Sequence, residues 1–232
     1  MVSVVPFRLR LTATGLASVA VVLGAAGCTG LDQASAAGLS QDDMVSEMAG
    51  QLARVTGLTY TATYQLAGGE TATVTQAQKP ARTAYVYPGG RLLEQTTGNT
   101  RCTGDAALKC TRTDPAPPTA APLTGSTLIT PEAALALLNT ASLDQEVEAV
   151  PHDTTIAGRH ATCLDLKQVD GTPTAEFGLC VTNEGALGSF TGTIAGERFE
   201  QALTAYQDKA SPAGFDLPAS AQVTDRRSQT FR

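Results

Sequence analysis

Few residues in this sequence have the type and spacing that chemistry requires. The chain holds 2 His and 5 Cys among 232 residues. His152 follows Pro151 in what reads as a connector, and His160 opens a strand pattern. Both therefore read as surface or hydrogen-bonded residues rather than general bases. A Gly-Ser-Phe-Thr-Gly string spans 188–192, but Ser189 directly follows its first glycine. A nucleophile elbow centres the serine between the glycines, on a strand-to-helix turn. The sequence contains no phosphate loop, EF-hand pattern or HExxH. The expectation is a chain that is not an enzyme and takes no metal and no cofactor.

The cysteines carry what chemistry remains. Arg8 and Arg10 are the only charges before Asp32, and an uncharged run from Leu11 ends in Leu23-Gly24-Ala25-Ala26-Gly27-Cys28. A basic start, an apolar run and small residues at the cut are the parts of a secretory signal. The run is short for a spanning helix, which needs roughly 20 residues. Small residues directly before a cysteine resemble the lipobox of a bacterial lipoprotein, with Ala25 where a leucine is more usual. That resemblance implies cleavage before Cys28, a diacylglyceryl group carrying palmitate-type chains on its thiol, and a membrane-tethered mature chain. The net charge is −6 with both n-region arginines still counted. Cleavage leaves a more acidic surface, which excludes nucleic acid as a partner and any purely electrostatic hold on anionic lipid. The anchor is then the acyl chains.

Four cysteines are left: Cys102, Cys110, Cys163 and Cys180. An even remainder in an exported chain reads as two disulfides. Three connectivities are open to them. The sequence-local pairs, Cys102–Cys110 and Cys163–Cys180, are favoured because each brackets a strand-turn-strand pattern. Neither pair has zinc-finger spacing.

The elements that position these residues follow from periodicity. Residues 29–39 are small and polar, a flexible tether. Ser40 reads as an N-cap, and Met44, Met48, Leu52 and Val55 give residues 41–56 a helical stripe closed by Gly57. From Leu58 the period becomes two, and strand patterns recur through Thr113 as an antiparallel meander. Residues 114–126 hold four prolines and read as a crossover loop. Thr130-Pro131-Glu132 starts a second, almost wholly apolar helix, which must be covered. Strand patterns resume after Pro151, at 159–168, 174–182, 187–194 and 198–207. The predicted organisation is a signal peptide 1–27, a lipidated Cys28 and tether to 39, one domain over 40–225, and a frayed tail 226–232.

This order is α+β: a strongly curved antiparallel sheet, an unclosed half-barrel, with helices on its concave face. Tyr60, Tyr64 and Leu66 from the first strand, Leu135 and Leu138 from the second helix, and Phe177, Leu179 and Phe190 from later strands are the candidates to line an apolar cavity between the layers. The alternative is that they simply fill the core. The strand 58–64, the stretch Gly188-Ser-Phe-Thr-Gly192 and the tail Phe215-Asp-Leu-Pro218 resemble the half-barrel lipoproteins of actinobacteria of the LppX/LprG kind, which are similar in fold to the LolA-type lipoprotein carrier. The resemblance implies a monomer in the cell envelope, on the outer face of the cytoplasmic membrane, binding a lipid or lipidated cargo without catalysis. An interaction or accessory module with a filled core and no ligand is the alternative reading of the same pattern.

Overall fold

The computed structural model describes residues 40–104, 107–118 and 121–228. The signal peptide, Cys28 and the tether lie outside the described residues.

Helix α1 spans Gln41–Ala53. The Ser40 hydroxyl accepts from the Asp43 backbone N–H at 3.3 Å, and Asp42 and Asp43 sit in the first turn where the helix dipole favours them. Its buried face is Val45, Met48, Ala49 and Leu52. The helix is shorter than the predicted 41–56. Residues Arg54–Gly57 tighten into a 3₁₀ turn, and Val55 leaves the helical stripe for a different part of the core.

Among the described residues twelve strands follow: β1 (Tyr60–Leu66), β2 (Thr71–Gln78), β3 (Ala81–Tyr87), β4 (Gly90–Gln95), β5 (Gly98–Thr103), β6 (Lys109–Thr113), β7 (Glu148–Ile156), β8 (Arg159–Lys167), β9 (Glu176–Thr182), β10 (Leu187–Ile194), β11 (Glu197–Gln207) and β12 (Gln222–Asp225). They form one open sheet in the order β12-β6-β5-β4-β3-β2-β1-β11-β10-β9-β8-β7. Two meanders, β1–β6 and β7–β11, are stitched together by the antiparallel pairing of β1 with β11. All ladders are antiparallel except β12 on β6. This is the unclosed sheet with helices against it that the sequence predicts.

Two strands escape the sequence reading. Residues 148–156 are not a connector but the edge strand β7, with Pro151 inside it. Proline cannot donate to a ladder, and an edge strand is where a sheet tolerates it. His152 therefore stands on a strand, opposite Cys163. The short β12 runs beside β6 and is exposed along its length.

The sheet is strongly curved. β7 touches β11 although three strands separate them in the order. The Arg159 guanidinium at the start of β8 lies 4.2 Å from the centre of the Tyr206 ring on β11. Register shifts at Thr63/Tyr64 and Leu187/Ser189 mark β-bulges, which add local twist.

Helix α2 (Pro131–Ala141) is capped by Thr130, whose hydroxyl accepts from the Ala133 N–H at 3.2 Å. With α1 it covers β7–β11, enclosing a cluster that includes Leu138, Leu164, Val181 and Phe190. The other half of the concave face carries a second cluster, of Tyr60, Tyr64, Val74, Tyr85 and Leu92, beneath Leu123 and Leu128 of the proline-rich crossover. On the opposite face the C-terminal segment straps β3–β6. Phe215 packs on Ala84 and Leu93, and Arg91 donates to the Gly214 and Asp216 carbonyls at 2.6 Å each.

Candidate functional site

The eight residues predicted to line one cavity are divided between the two clusters. Tyr60, Tyr64 and Leu66 lie beneath the crossover loop; Phe177, Leu179 and Phe190 lie beneath the helices in one cluster with Leu138 of α2, and Leu135 of α2 is partly buried against that cluster. They hold one another in place. Tyr60 stacks on Tyr206 at 5.5 Å between ring centres, and Phe177 on Phe190 at 5.9 Å. The Tyr64 hydroxyl crosses β11 to donate to the Leu187 carbonyl at 2.8 Å. Burial of that phenol pushes its pKa well above the usual range.

Among the described residues, concavities of about 420 and 310 Å³ lie at Thr97, Asp114 and Arg227 and at Gln41, Asp144 and Val147. Of two others, the larger, about 840 Å³, runs over the β7–β11 half of the sheet and is lined by Val150, Asp165, Lys167, Phe177, Thr191 and Arg198 among others. Asp165 and Lys167 alternate along β8 with the core residues Leu164 and Leu166, which places this groove on the face away from the helices. Two ion pairs border it, Lys167 with Glu176 at 3.8 Å and Arg198 with Glu200 at 2.8 Å, and Asp165 lies 3.7 Å from His152 Nδ1. Gly178 lets the groove close beneath them. A Cβ there would fall 2.7 Å from Asp165 Oδ1 and 3.1 Å from Thr191 Oγ1.

The smaller concavity, about 160 Å³, is apolar. It lies between α2, the crossover loop and the 171–173 turn, against Pro122, Ala133, Ala136, Leu137, Pro173 and Ile194.

The cysteines pair as the sequence favours: Cys102 with Cys110 and Cys163 with Cys180, each at 2.08 Å between sulfurs and each directly across a ladder. His152 lies with Cys163 and Cys180 within 4.8 Å, the spacing of a metal-ligand trio, but the disulfide occupies both thiols. His160 faces Asn183, 3.4 Å away. Two disulfides fit an oxidising, extracytoplasmic compartment. No helix among the described residues is long and apolar enough to cross a membrane.

A polar cluster on the concave face has no counterpart in the sequence reading. Tyr85 on β3 donates to Glu132 Oε2 in the first turn of α2, at 3.1 Å. Glu94 on β4 joins them: burial pushes its carboxyl up to about 7, the Glu132 charge adds to the rise, and Arg101 opposes it. Tyr85 is likewise raised, first by its burial and then by Glu132 and Glu94. The signal for this cluster is parity. On β4, Leu92 faces the core, and two residues on, where alternation calls for another apolar side chain, stands Glu94.

No family model matches the sequence, and no curated protein matches it. Solved structures do resemble the fold. An uncharacterized conserved protein from Thermus thermophilus is 12% identical, with 79% of this chain and 99% of that one covered, at a TM-score of 0.47. MucB in complex with MucA(peri) is 14% identical over 78% of this chain and 62% of that one, at 0.49. The Pseudomonas aeruginosa MucA/MucB complex gives 14%, 78%, 63% and 0.48. This chain thus spans less than two thirds of those MucB chains, and its architecture stands on its own strand order.

Proposed function

We propose that this chain is a non-catalytic, extracytoplasmic interaction module, tethered through Cys28 to the outer face of the cytoplasmic membrane, which holds an extended segment of a cell-envelope protein in the groove over β8–β11. The observation that carries this reading is where the open space lies. The residues expected to line a lipid cavity pack into two core clusters, while the concavity of about 840 Å³, where Val150, Ala175 and Phe177 alternate with threonines and charged residues, lies open on the far side of the sheet. An acyl chain gains about 0.8 kcal/mol for each methylene it buries, and an open groove whose apolar residues are interrupted by threonines and charges buries few of them. A polypeptide finds hydrogen-bond partners there. The apolar space of about 160 Å³ beside α2 is smaller than the roughly 300–1,000 Å³ of ordinary ligand pockets, so a lipid carrier is the weaker reading.

The test uses residues 29–232 exported without Cys28. A photo-crosslinker at Thr193, which is exposed and borders the groove, should trap a partner that the same group at the exposed Val86 does not. Thr191→Arg should abolish the crosslink. An acyl lipid extracted at defined stoichiometry, or crosslinking indifferent to Thr191→Arg, would overturn the reading.

A further inference from the structure

One of the two disulfides has a neighbour that the other lacks. His152, Cys163 and Cys180 stand in a row across β7, β8 and β9, each directly opposite the next, so their side chains leave the sheet on one face. A ring nitrogen of His152 and the two sulfurs lie within 4.8 Å of one another. Among the described residues no other group of three His, Cys, Asp or Glu side chains is gathered in this way. Cys102 and Cys110 pack instead against Leu108, Leu217 and Ala221, none of which can bind a metal.

The donor types select the metal. Two thiolates and an imidazole suit Zn²⁺, and they give Mg²⁺ or Ca²⁺ none of the oxygen ligands those ions require. Tetrahedral zinc bonds sulfur at about 2.3 Å and nitrogen at about 2.0–2.1 Å, which spaces its ligands roughly 3.5–3.8 Å apart. That spacing falls inside the span of this trio. Three protein ligands leave a fourth position for water. A second group supports the histidine: Asp165 Oδ2 lies 3.7 Å from His152 Nδ1. Metal-ligating histidines are oriented by such a carboxylate at the ring nitrogen that does not hold the metal.

We propose that His152, Cys163 and Cys180 form a redox-gated zinc site, closed while the disulfide is intact and opened by a dithiol reductant. The site needs no occupant in the groove and does not rest on the interaction reading given above. A thiolate of the reductant attacks Cys180 Sγ, since Cys180 is 8% exposed against 1% for Cys163. The S–S bond breaks with its electron pair on Cys163 Sγ, which takes up a proton. The reductant's second thiolate then displaces Cys180 as it closes the reductant's own disulfide, and Cys180 is protonated in turn. Zn²⁺ replaces the two thiol protons, which pass to water, and no atom changes oxidation state in that step.

The experiment takes residues 29–232, untagged and without Cys28, before and after reduction by a dithiol that is then removed. Zn²⁺ is titrated against a chromogenic chelator, and circular dichroism follows the fold. We expect one equivalent of zinc in the reduced chain and none in the oxidised one. Co²⁺ in place of zinc should give thiolate-to-cobalt charge-transfer absorption. His152→Ala and Asp165→Asn alter exposed side chains and should leave the fold in place. Asp165→Asn should weaken zinc by roughly 10- to 100-fold, and His152→Ala by at least as much. Cys163→Ala with Cys180→Ala should abolish binding. Zinc held equally by the oxidised chain, full affinity in His152→Ala, or cobalt without the charge-transfer band would overturn the proposal. A reduced chain that takes up no zinc, whether folded or unfolded, would overturn it as well.

Discussion

Gln201 and Ile129 exchange two hydrogen bonds in the interior: the Ile129 N–H donates to Gln201 Oε1 at 2.8 Å, and Gln201 Nε2 donates to the Ile129 carbonyl at 3.2 Å. The amide on β11 thus mimics a strand for the residue that leads into α2, and only 2% of Gln201 is exposed. It fixes how the crossover enters the helix.

Gln201→Leu keeps the volume and removes both partners. Each backbone group left unpaired in the interior costs about 1–3 kcal/mol, so a loss of about 2–4 kcal/mol in urea unfolding is expected. Faster amide hydrogen exchange should follow at Leu128–Ala134, and little change in β2–β4.

Glu94 makes stability depend on pH in an unusual direction. Its folded carboxyl sits at about 7 against an ordinary value of 4.5, so the folded state holds a proton that the unfolded chain has released. The contribution is fully present below about pH 4.5 and is lost as pH rises through about 7. Asp225, held down to about 2 by Arg227, acts in the opposite sense at much lower pH. Glu94→Gln should therefore raise Tm relative to the parent by more at pH 8 than at pH 5. A difference that is flat or shrinks with pH would show that burial does not govern this carboxyl.

The two disulfides should differ modestly in worth. They close loops of 8 and 17 residues. In the chain-entropy picture that amounts to roughly 2.5 and 3 kcal/mol. Paired Cys→Ala variants, unfolded in urea, check both the sizes and their order.

Gly185 is where α1 meets the sheet. It turns between β9 and β10 at φ +99°, and a Cβ there would lie 2.7 Å from the Gln51 carbonyl oxygen. The same contact is fastened by Gln51 Nε2 donating to the Thr182 carbonyl at 2.9 Å. Gly185→Ala should cost about 2 kcal/mol, through backbone strain and displacement of the helix end. Circular dichroism at rising urea will register it.

Much of this architecture is legible in the sequence, for local reasons. Ser40 and Thr130 mark both helix starts because a side-chain oxygen must satisfy the first free N–H groups, and alternation reveals β1 because one of its faces is buried. β7 is hidden because Pro151 reads as a breaker, and an edge position is a tertiary fact. β12 is hidden because all four of its residues are exposed and carry no apolar alternation. The candidate cavity residues are recognisable as inward-facing, yet sequence cannot say that the crossover loop and the helices cover separate halves of the concave face. The groove is harder still: Asp165, Lys167 and Thr191 read as an ordinary wet face, and which strands stand side by side beneath it is fixed by the strand order of the folded sheet.

The pairing of β1 with β11 has a consequence for how the chain comes to be folded. Tyr64 lies beside Leu203, so the ladder that joins the two meanders waits for nearly the last strand to be made. Such non-local closure is slow compared with hairpin formation. Until residues 197–207 arrive, the first meander carries a naked border along β1, a template for any passing strand. For a chain delivered to its compartment amino terminus first, β11 is the clasp, and truncation before it should yield aggregates rather than a smaller folded protein.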